Sequence, residues 1–336
     1  MERLLQKGLK ISHLRLADAL AREGQLSGAA LTMGIAQPAA SRLAAEAERI
    51  IGAPLYTRAG RGIDLSPEGL ALARRAKRIL REIKDADREI NELKSGLTGK
   101  VSIGSVTGPA IEHVLPALRK ARIALPNVQI EIEVGTSNTL GPMLQDGRID
   151  FSLARLPAGQ DAAAFQMTVV GKEPISLVAR HGHPVLQHAQ RHANPIVPMA
   201  DLLSYDWVMP NTGAILRNTV TQALVRGGLR PPERVLSTSS FLLVLATISQ
   251  TNAIAPIATS VAQTFTSYQG DDATTADAPG LVQIIETDIA LDVEDYGLMT
   301  FAGRALTPAA QSVLQVLCDG MGIPVPQETS LAQAYP

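Results

Sequence analysis

Gln37, Pro38, Ser41 and Arg42 carry the sharpest chemical signal in this chain of 336 residues. Their spacing puts them on one face of the first turns of a helix. An amide, a hydroxyl and a guanidinium there are the groups that meet base edges and phosphate oxygens in a duplex major groove. Arg58 and Arg61 flank a second basic feature, the glycine-rich run RAGRG. A hairpin tip of that composition suits a DNA backbone or a narrow minor groove. The alternative is a solvated hairpin with incidental charges.

A second group of candidates consists of hydroxyls, an amide and one cation: Ser105, Thr107, Thr136, Ser137, Arg155, Asn211, Thr212 and Thr238. Each lies where a strand is expected to end and, in most cases, a helix to start. Polar ligands sit at such places in open α/β sheets. A carboxylate would pair with Arg155, whereas a sugar would use the hydroxyls and the Asn211 amide. None of these groups pairs a nucleophile with a base. The chain also has no GxGxxG after a strand, no GxxxxGK[ST], no HExxH and no CxxC. No cofactor, catalytic residue or resident metal is expected. His181, His183, His188 and His192 are close enough to suggest Zn²⁺ or Ni²⁺, but Gly182, Pro184 and the polar run to Pro195 read as a surface loop. His13 falls on a buried helix face as a structural residue, and Asp271-Asp272 lies in a solvated loop. The single cysteine, Cys318, excludes an internal disulfide and reads as a small buried hydrophobe.

The first group needs two crossing helices. Ser27 is a candidate N-cap for a short helix carrying Ala29, Ala30 and Leu31, and Gly34 permits a sharp turn. Pro38 then sits in the first turn of a second helix, where a missing N–H is harmless. Leu43, Ala47, Ile50 and Ile51 form its buried stripe, and Gly52 with Pro54 ends it. This is the pattern of a helix-turn-helix that binds duplex DNA; an ordinary helical hairpin is the competing reading. Leu55-Tyr56 and Ile63 to Leu65 read as two short strands of a wing. Ser66-Pro67-Glu68 opens a further helix, whose apolar positions Leu72, Ala76, Ile79, Ile83, Ala86, Ile90, Leu93 and Leu97 alternate at gaps of 4 and 3. A heptad sustained that far predicts a coiled-coil seam between two copies; packing against the chain's own core is the alternative.

From Val101 to Leu153 the order is strand, helix, strand, helix, strand, which predicts a mainly parallel sheet. Further strands are expected at Ile175 to Ala179, Trp207 to Met209, Val235 to Ser237, Ile254 to Pro256, Leu281 to Glu286 and Tyr296 to Thr300, with a last helix from Pro308. Chain crossings between two lobes would leave a cleft.

Charge follows this division. Residues 1–98 contain 17 Lys+Arg and 12 Asp+Glu, leaving 14 and 20 of the totals of 31 and 32 for the rest. The basic excess belongs to the segment read as DNA-binding. No run of about eighteen apolar residues predicts a membrane span, and the first residues do not read as a signal peptide. The expected setting is the cytoplasm.

Residues 21–69, the heptad helix, the stretch VGTSNTLGPMLQDGRIDFSLARL at 134–156, ARHGHP at 179–184 and YGLMTFAGRALTPAAQSVL at 296–314 resemble the LysR-type transcriptional regulators. The resemblance implies an α/β protein with a winged helix-turn-helix over 1–66, a linker dimerisation helix over 67–98 and an effector-binding domain over 99–325, followed by a tail at 326–336. That domain is expected to have two lobes like a periplasmic binding protein, lobe one at about 99–175 and 277–325, lobe two at about 176–276. The resemblance further implies a homodimer through the linker, a homotetramer, an operator in double-stranded DNA, a small organic acid or sugar as effector, and RNA polymerase as a further partner. By position, Gln37, Pro38, Ser41 and Arg42 would face the major groove and Arg61 the minor groove. Thr107, Thr136 and Arg155 would line one side of the cleft, with Asn211 and Thr212 opposite. The spelling of the motifs is most similar to regulators of sugar uptake or aromatic-acid breakdown, acting as activator or repressor. The alternative is a cytoplasmic enzyme or solute-binding protein with an N-terminal assembly module.

Overall fold

The computed structural model describes residues 3–60, 62–95, 98–191, 196–266 and 280–326. The chain divides into two units, Met1–Gly96 and Leu97–Pro336.

The first unit begins with a short helix, α1 (Arg3–Gln6), then packs α2 (Ile11–Glu23), α3 (Leu26–Met33) and α4 (Gln37–Ile51) around alanines. Ala40 and Ala44 of α4 meet Leu16, Ala19 and Leu20 of α2 and Ala29 and Ala30 of α3. Small side chains let the helix axes approach closely. Gly34 closes α3 in the left-handed conformation, φ 68°, which a residue with a Cβ adopts at a cost. The N-cap of α3 is Gln25 rather than Ser27, which lies inside the helix. The helix starts at Leu26 because that residue, half-buried, anchors its first turn in the alanine core. The buried stripe of α4 is Ala40, Ala44, Ala47 and Ile50; Leu43 and Ile51 are only half-buried.

β1 (Tyr56–Ala59) and β2 (Gly62–Leu65) pair antiparallel, with Arg58 opposite Ile63 and Ala59 opposite Gly62. Arg61, between these strands, lies outside the described residues. Ser66 caps the next helix, its Oγ accepting from the Gly69 amide at 2.9 Å and donating to the Pro54 carbonyl at 2.6 Å. That helix, α5 (Pro67–Ser95), has 29 residues. Its first turns bury Ala73 and Ala76 against Leu14 and Ala17 of α2. Further along, Ile79, Ile83, Ile90 and Leu93 of the heptad are exposed by 43%, 47%, 51% and 69%. Leu97, the last expected heptad position, lies outside the described residues.

The second unit runs β3 (Gly99–Ser105), α6 (Thr107–Pro109), a π-helical turn (Ala110–Val114), α7 (Leu115–Ala124), β4 (Val128–Val134), α8 (Ser137–Gln145), β5 (Phe151–Ala154) and β6 (Phe165–Ala179). It continues with α9 (Pro184–Arg191), α10 (Met199–Leu202), β7 (Trp207–Met209), α11 (Ile215–Arg226), β8 (Val235–Ser237), α12 (Phe241–Gln250), β9 (Ala255–Ala258) and α13 (Thr259–Thr266). β10 (Gln283–Ile285), β11 (Leu291–Phe301) and α14 (Pro308–Met321) complete it. Within the main sheet, among the described residues, the β3–β4 and β3–β5 pairings are parallel; every pairing of β6, β9, β10 and β11 is antiparallel. The expected mainly parallel sheet is thus mixed. β6 runs in the direction of β5, with β11 between them, while β9, β10 and β11 run against it.

β6 and β11 tie the lobes together. β6 has 15 residues. Its first half pairs with the second half of β11, Phe165 opposite Phe301, and Ile175 pairs with Leu291 near the far end. Beyond, Leu177 to Ala179 pairs with β10, and Ile175 to Val178 with β9. The register of β11 shifts on both sides of Tyr296. One apolar core lies under β3, β5 and α14, centred on Phe151, Leu153 and Leu317. Another surrounds Trp207, Leu177 and Leu224. Among the described residues, no helix is long and apolar enough to cross a membrane.

Candidate nucleic-acid interface and ligand cleft

The N-terminal end of α4 presents Gln37, Pro38, Ser41 and Arg42 together, all exposed, on the side away from Ala40 and Ala44. Arg42 lies along its own helix, Nε donating to the Pro38 carbonyl at 3.4 Å. Ala36 at the N-cap offers no side-chain acceptor to the first-turn amides. That end of the helix is therefore open to an anionic oxygen. Ser27 is exposed in the first turn of α3, and Arg58 on the wing strand. Behind this face, His13 is fully buried: its Nδ1 accepts from the Lys10 amide at 3.0 Å, and its Nε2 lies 3.4 Å from Glu46 Oε2. The His13 ring first, and then the Lys10 ammonium, hold the Glu46 carboxyl below its ordinary pKa.

In the second unit, the candidates separate by what their side chains do. Ser105 is buried and its Oγ donates to the Val106 carbonyl at 2.9 Å. Ser137, also buried, accepts from the Arg155 amide at 3.1 Å. Both hydroxyls are engaged with the backbone, Ser105 with its own neighbour and Ser137 with the residue that follows β5. Thr107 is half-buried at the start of α6. Thr136 is exposed at the N-cap of α8, its hydroxyl 2.9 Å from that of Thr139. In lobe two, Asn211 and Thr212 are exposed in the turn after β7. Thr238 follows β8 and accepts from the Ser240 amide at 3.0 Å. Arg217 ties β7 to β8, donating to the Pro210 carbonyl at 3.1 Å and to Ser237 Oγ at 2.8 Å.

Arg155 is held most firmly. Its Nη2 is 2.6 Å from Glu173 Oε2 and its Nε donates to the Glu294 carbonyl at 2.8 Å. The two side chains are 7% and 12% exposed. Tyr296, buried at the β11 register shift, has its hydroxyl 2.6 Å from His113 Nε2 on the π-helical turn. Burial pushes the Tyr296 phenol well above its ordinary pKa, helped by Glu112 and Glu173, and lowers that of His113. Glu173, Tyr296 and His113 escaped the sequence reading. Their only local signal is a polar residue in an apolar strand, or a π turn that sequence does not announce.

Of the histidine group, His183 is structural. His183 is buried, accepts from the Val185 amide at 3.2 Å and so caps α9, and meets Tyr205 edge-on with centroids 4.6 Å apart. The segment read as a loop is helix α9, nucleated by that cap and Pro184. Among the described residues no group of three potential ligands could hold a metal; His192 and the Asp271-Asp272 pair lie outside them.

A helix-turn-helix with a wing, and a two-lobed mixed sheet, define a regulator rather than an enzyme scaffold. Residues 11–70 match the model described as "Bacterial regulatory helix-turn-helix protein, lysR family", and residues 94–322 match "LysR substrate binding domain". The chain belongs to the LysR family: it is a DNA-binding transcriptional regulator with an effector-binding domain. It is 42% identical over 263 residues to the HTH-type transcriptional regulator GbpR of Rhizobium radiobacter, spanning 78% of this chain and 85% of that protein. With GbpR of Azospirillum brasilense it shares 32% over 313 residues, 93% of this chain and 87% of the relative. Its fold is similar to that of a full-length OxyR variant from Pseudomonas aeruginosa, TM-score 0.59 at 18% identity, covering 93% and 94% of the two chains. It is also similar to full-length CbnR in complex with its target DNA, TM-score 0.58 at 16% identity, covering 93% and 100%.

Proposed function

We propose that a small polar molecule bound between the lobes of the second unit switches operator binding, and that Gln37, Pro38, Ser41 and Arg42, with Ser27, Arg58 and Arg61, make the DNA contacts. The observation that carries this reading is the way the lobes are joined. β6 and β11 are shared between them, and β11 changes register on both sides of Tyr296. Thr107, Thr136 and Arg155 lie at strand ends of one lobe; Asn211, Thr212 and Thr238 lie at those of the other. A ligand touching both sets favours one lobe spacing by its differential affinity. Ser105 and Ser137 support the lobe-one wall through the backbone. The exposed isoleucines of α5 favour a homodimer through that helix, with paired dimers giving a homotetramer in the cytoplasm and RNA polymerase as its partner at the promoter.

Titration calorimetry of the full chain against sugars and organic acids tests the cleft. A binder should lose affinity in Thr107→Val and Asn211→Ala and should change the mobility or footprint of the operator complex. A binder indifferent to both substitutions would place its site elsewhere.

A further inference from the structure

We infer that the cleft selects an uncharged, hydroxyl-rich ligand, a sugar or polyol, over an organic acid, because Arg155 already has a built-in carboxylate partner in Glu173. This rests on the cleft reading above.

Arg155 is the cation that a carboxylate ligand would seek at the lobe-one strand ends. Its Nη2 is 2.6 Å from Glu173 Oε2, and its Nε is committed to the Glu294 carbonyl at 2.8 Å. The other carboxylate oxygen, Glu173 Oε1, lies directly against Gly108. Any Cβ at position 108 would collide with it, and with Ala258 as well. The missing side chain of Gly108 is therefore the seat of the Glu173 carboxylate. The guanidinium is neutralised from within the fold by a group that has its own fitted place.

An acid entering here has to evict Glu173. The evicted carboxylate would lose a charge-assisted partner from a site where the pair is about nine-tenths shielded. Removing one partner from such a pair is strongly unfavourable. The surroundings add to this: Glu294 and Asp295 are exposed at the β11 register shift, and Glu112 is half-exposed on the π-helical turn. Glu294, through its carbonyl, and the π-helical turn, through His113, adjoin Arg155 and Tyr296, so the neighbouring segments are acidic. In lobe two, Arg217 has Nη1 committed to the Pro210 carbonyl and Ser237 Oγ. Arg217 keeps its charge, because both of these partners are neutral oxygens; the other groups at the lobe faces are neutral and two-sided: the hydroxyls of Thr107 and Thr212, the mutually bonded Thr136–Thr139 pair and the Asn211 amide. Groups that both donate and accept match a ring of hydroxyls.

Calorimetry of the full chain against matched pairs decides it: D-glucose with D-glucuronate, D-galactose with D-galacturonate, and benzyl alcohol with benzoate. At least one sugar should bind, and its uronate should bind roughly tenfold or more weakly, about 1.4 kcal/mol per tenfold. In Glu173→Gln the gap should narrow or reverse. An acid that binds the unmodified protein as tightly as its neutral twin overturns the inference while leaving the cleft intact, whether it is held by Arg155 or Arg217. If no member of any pair binds, the cleft reading falls and the inference with it. Should Glu173→Gln fail to fold, the matched pairs on the unmodified protein decide the question by themselves.

Discussion

His13 Nε2 stands 3.4 Å from Glu46 Oε2, linking the first core helix α2 to the far half of α4. Lys10 Nζ reaches the other Glu46 oxygen at 3.6 Å. The helix that carries Gln37 and Arg42 is thus fixed in angle by one carboxylate held between two basic groups.

This contact gives the DNA-binding unit an acid limb. The folded Glu46 carboxyl titrates below its ordinary value of 4.5, because His13 and then Lys10 favour its charged form. Its contribution to stability is therefore full above that ordinary value and is lost as pH falls through the lowered one. Glu46→Gln should lower the melting temperature at about pH 6 and flatten its decline towards about pH 3. Circular dichroism melts of the full chain read this; an acid limb identical in the variant would exclude the contact as its source.

Operator binding should depend on the exposed residues of α4 and the wing. Arg42→Ala should weaken binding by roughly 1–3 kcal/mol if it reads a base. Arg58→Ala, as a phosphate contact, should reduce the slope of log affinity against log salt by about one. Fluorescence anisotropy across a salt series separates the two, and unchanged affinity and slope in both variants would remove this face from the interface.

The bare stripe of α5 predicts assembly. Ile83, 47% exposed in the single chain, should be covered in the dimer. Ile83→Lys would put a charge without a partner into that seam. Sedimentation should show loss of the dimer, and high-affinity operator binding should fall with it. A variant that sediments as the unmodified protein does would move the seam to another helix.

Gly69 and Gly320 should respond in opposite directions to alanine. A Cβ at Gly69 would strike the Leu55 carbonyl, which is backbone and cannot rotate away. Gly69→Ala should destabilise the winged unit by about 1–3 kcal/mol. Gly320 is exposed within α14, with open space where a Cβ would stand and no positive φ. Gly320→Ala should stabilise by about 0.4–1 kcal/mol. Denaturant midpoints of the two variants check the pair.

The features legible in the sequence are those set by local physics. Gly34, Gly52 and Ser66 fix helix ends through their own backbone or hydroxyl, so the helix-turn-helix and the start of α5 can be read directly. The exposed quartet on α4 follows from period alone. β6 is legible only from Ile175 onward. Gly171 and Pro174 look like breaks, yet both lie within the strand, where β11 changes register alongside. In the cleft, residue types are visible in the sequence but their commitments are not. Ser105 and Ser137 are hydroxyls at strand ends, as expected, yet both are turned into the scaffold. Arg155 and Glu173 are 18 positions apart, and no spacing rule joins a residue just after one strand to another inside the next. Their pairing is a product of the sheet, and only the folded sheet reveals it.

The chain enters lobe two along β6 and leaves it along β11, later than the boundary expected at about 276, because Ile285 and Leu291 pack in the core around Trp207; Ile175 and Leu291 at the threshold are paired neighbours in the sheet. Everything between them is a cassette with adjoining ends, plugged into a lobe whose β3, β4, β5 and α14 never pass through it. Recombination can swap such a cassette without re-threading the remainder. Asn211, Thr212 and Thr238 ride on it, while the Arg155 and Glu173 pair stays with the host. Under the proposed cleft reading, descendants of this chain can change which ligand pattern they recognise in a single exchange, while the Arg155–Glu173 pair is inherited separately.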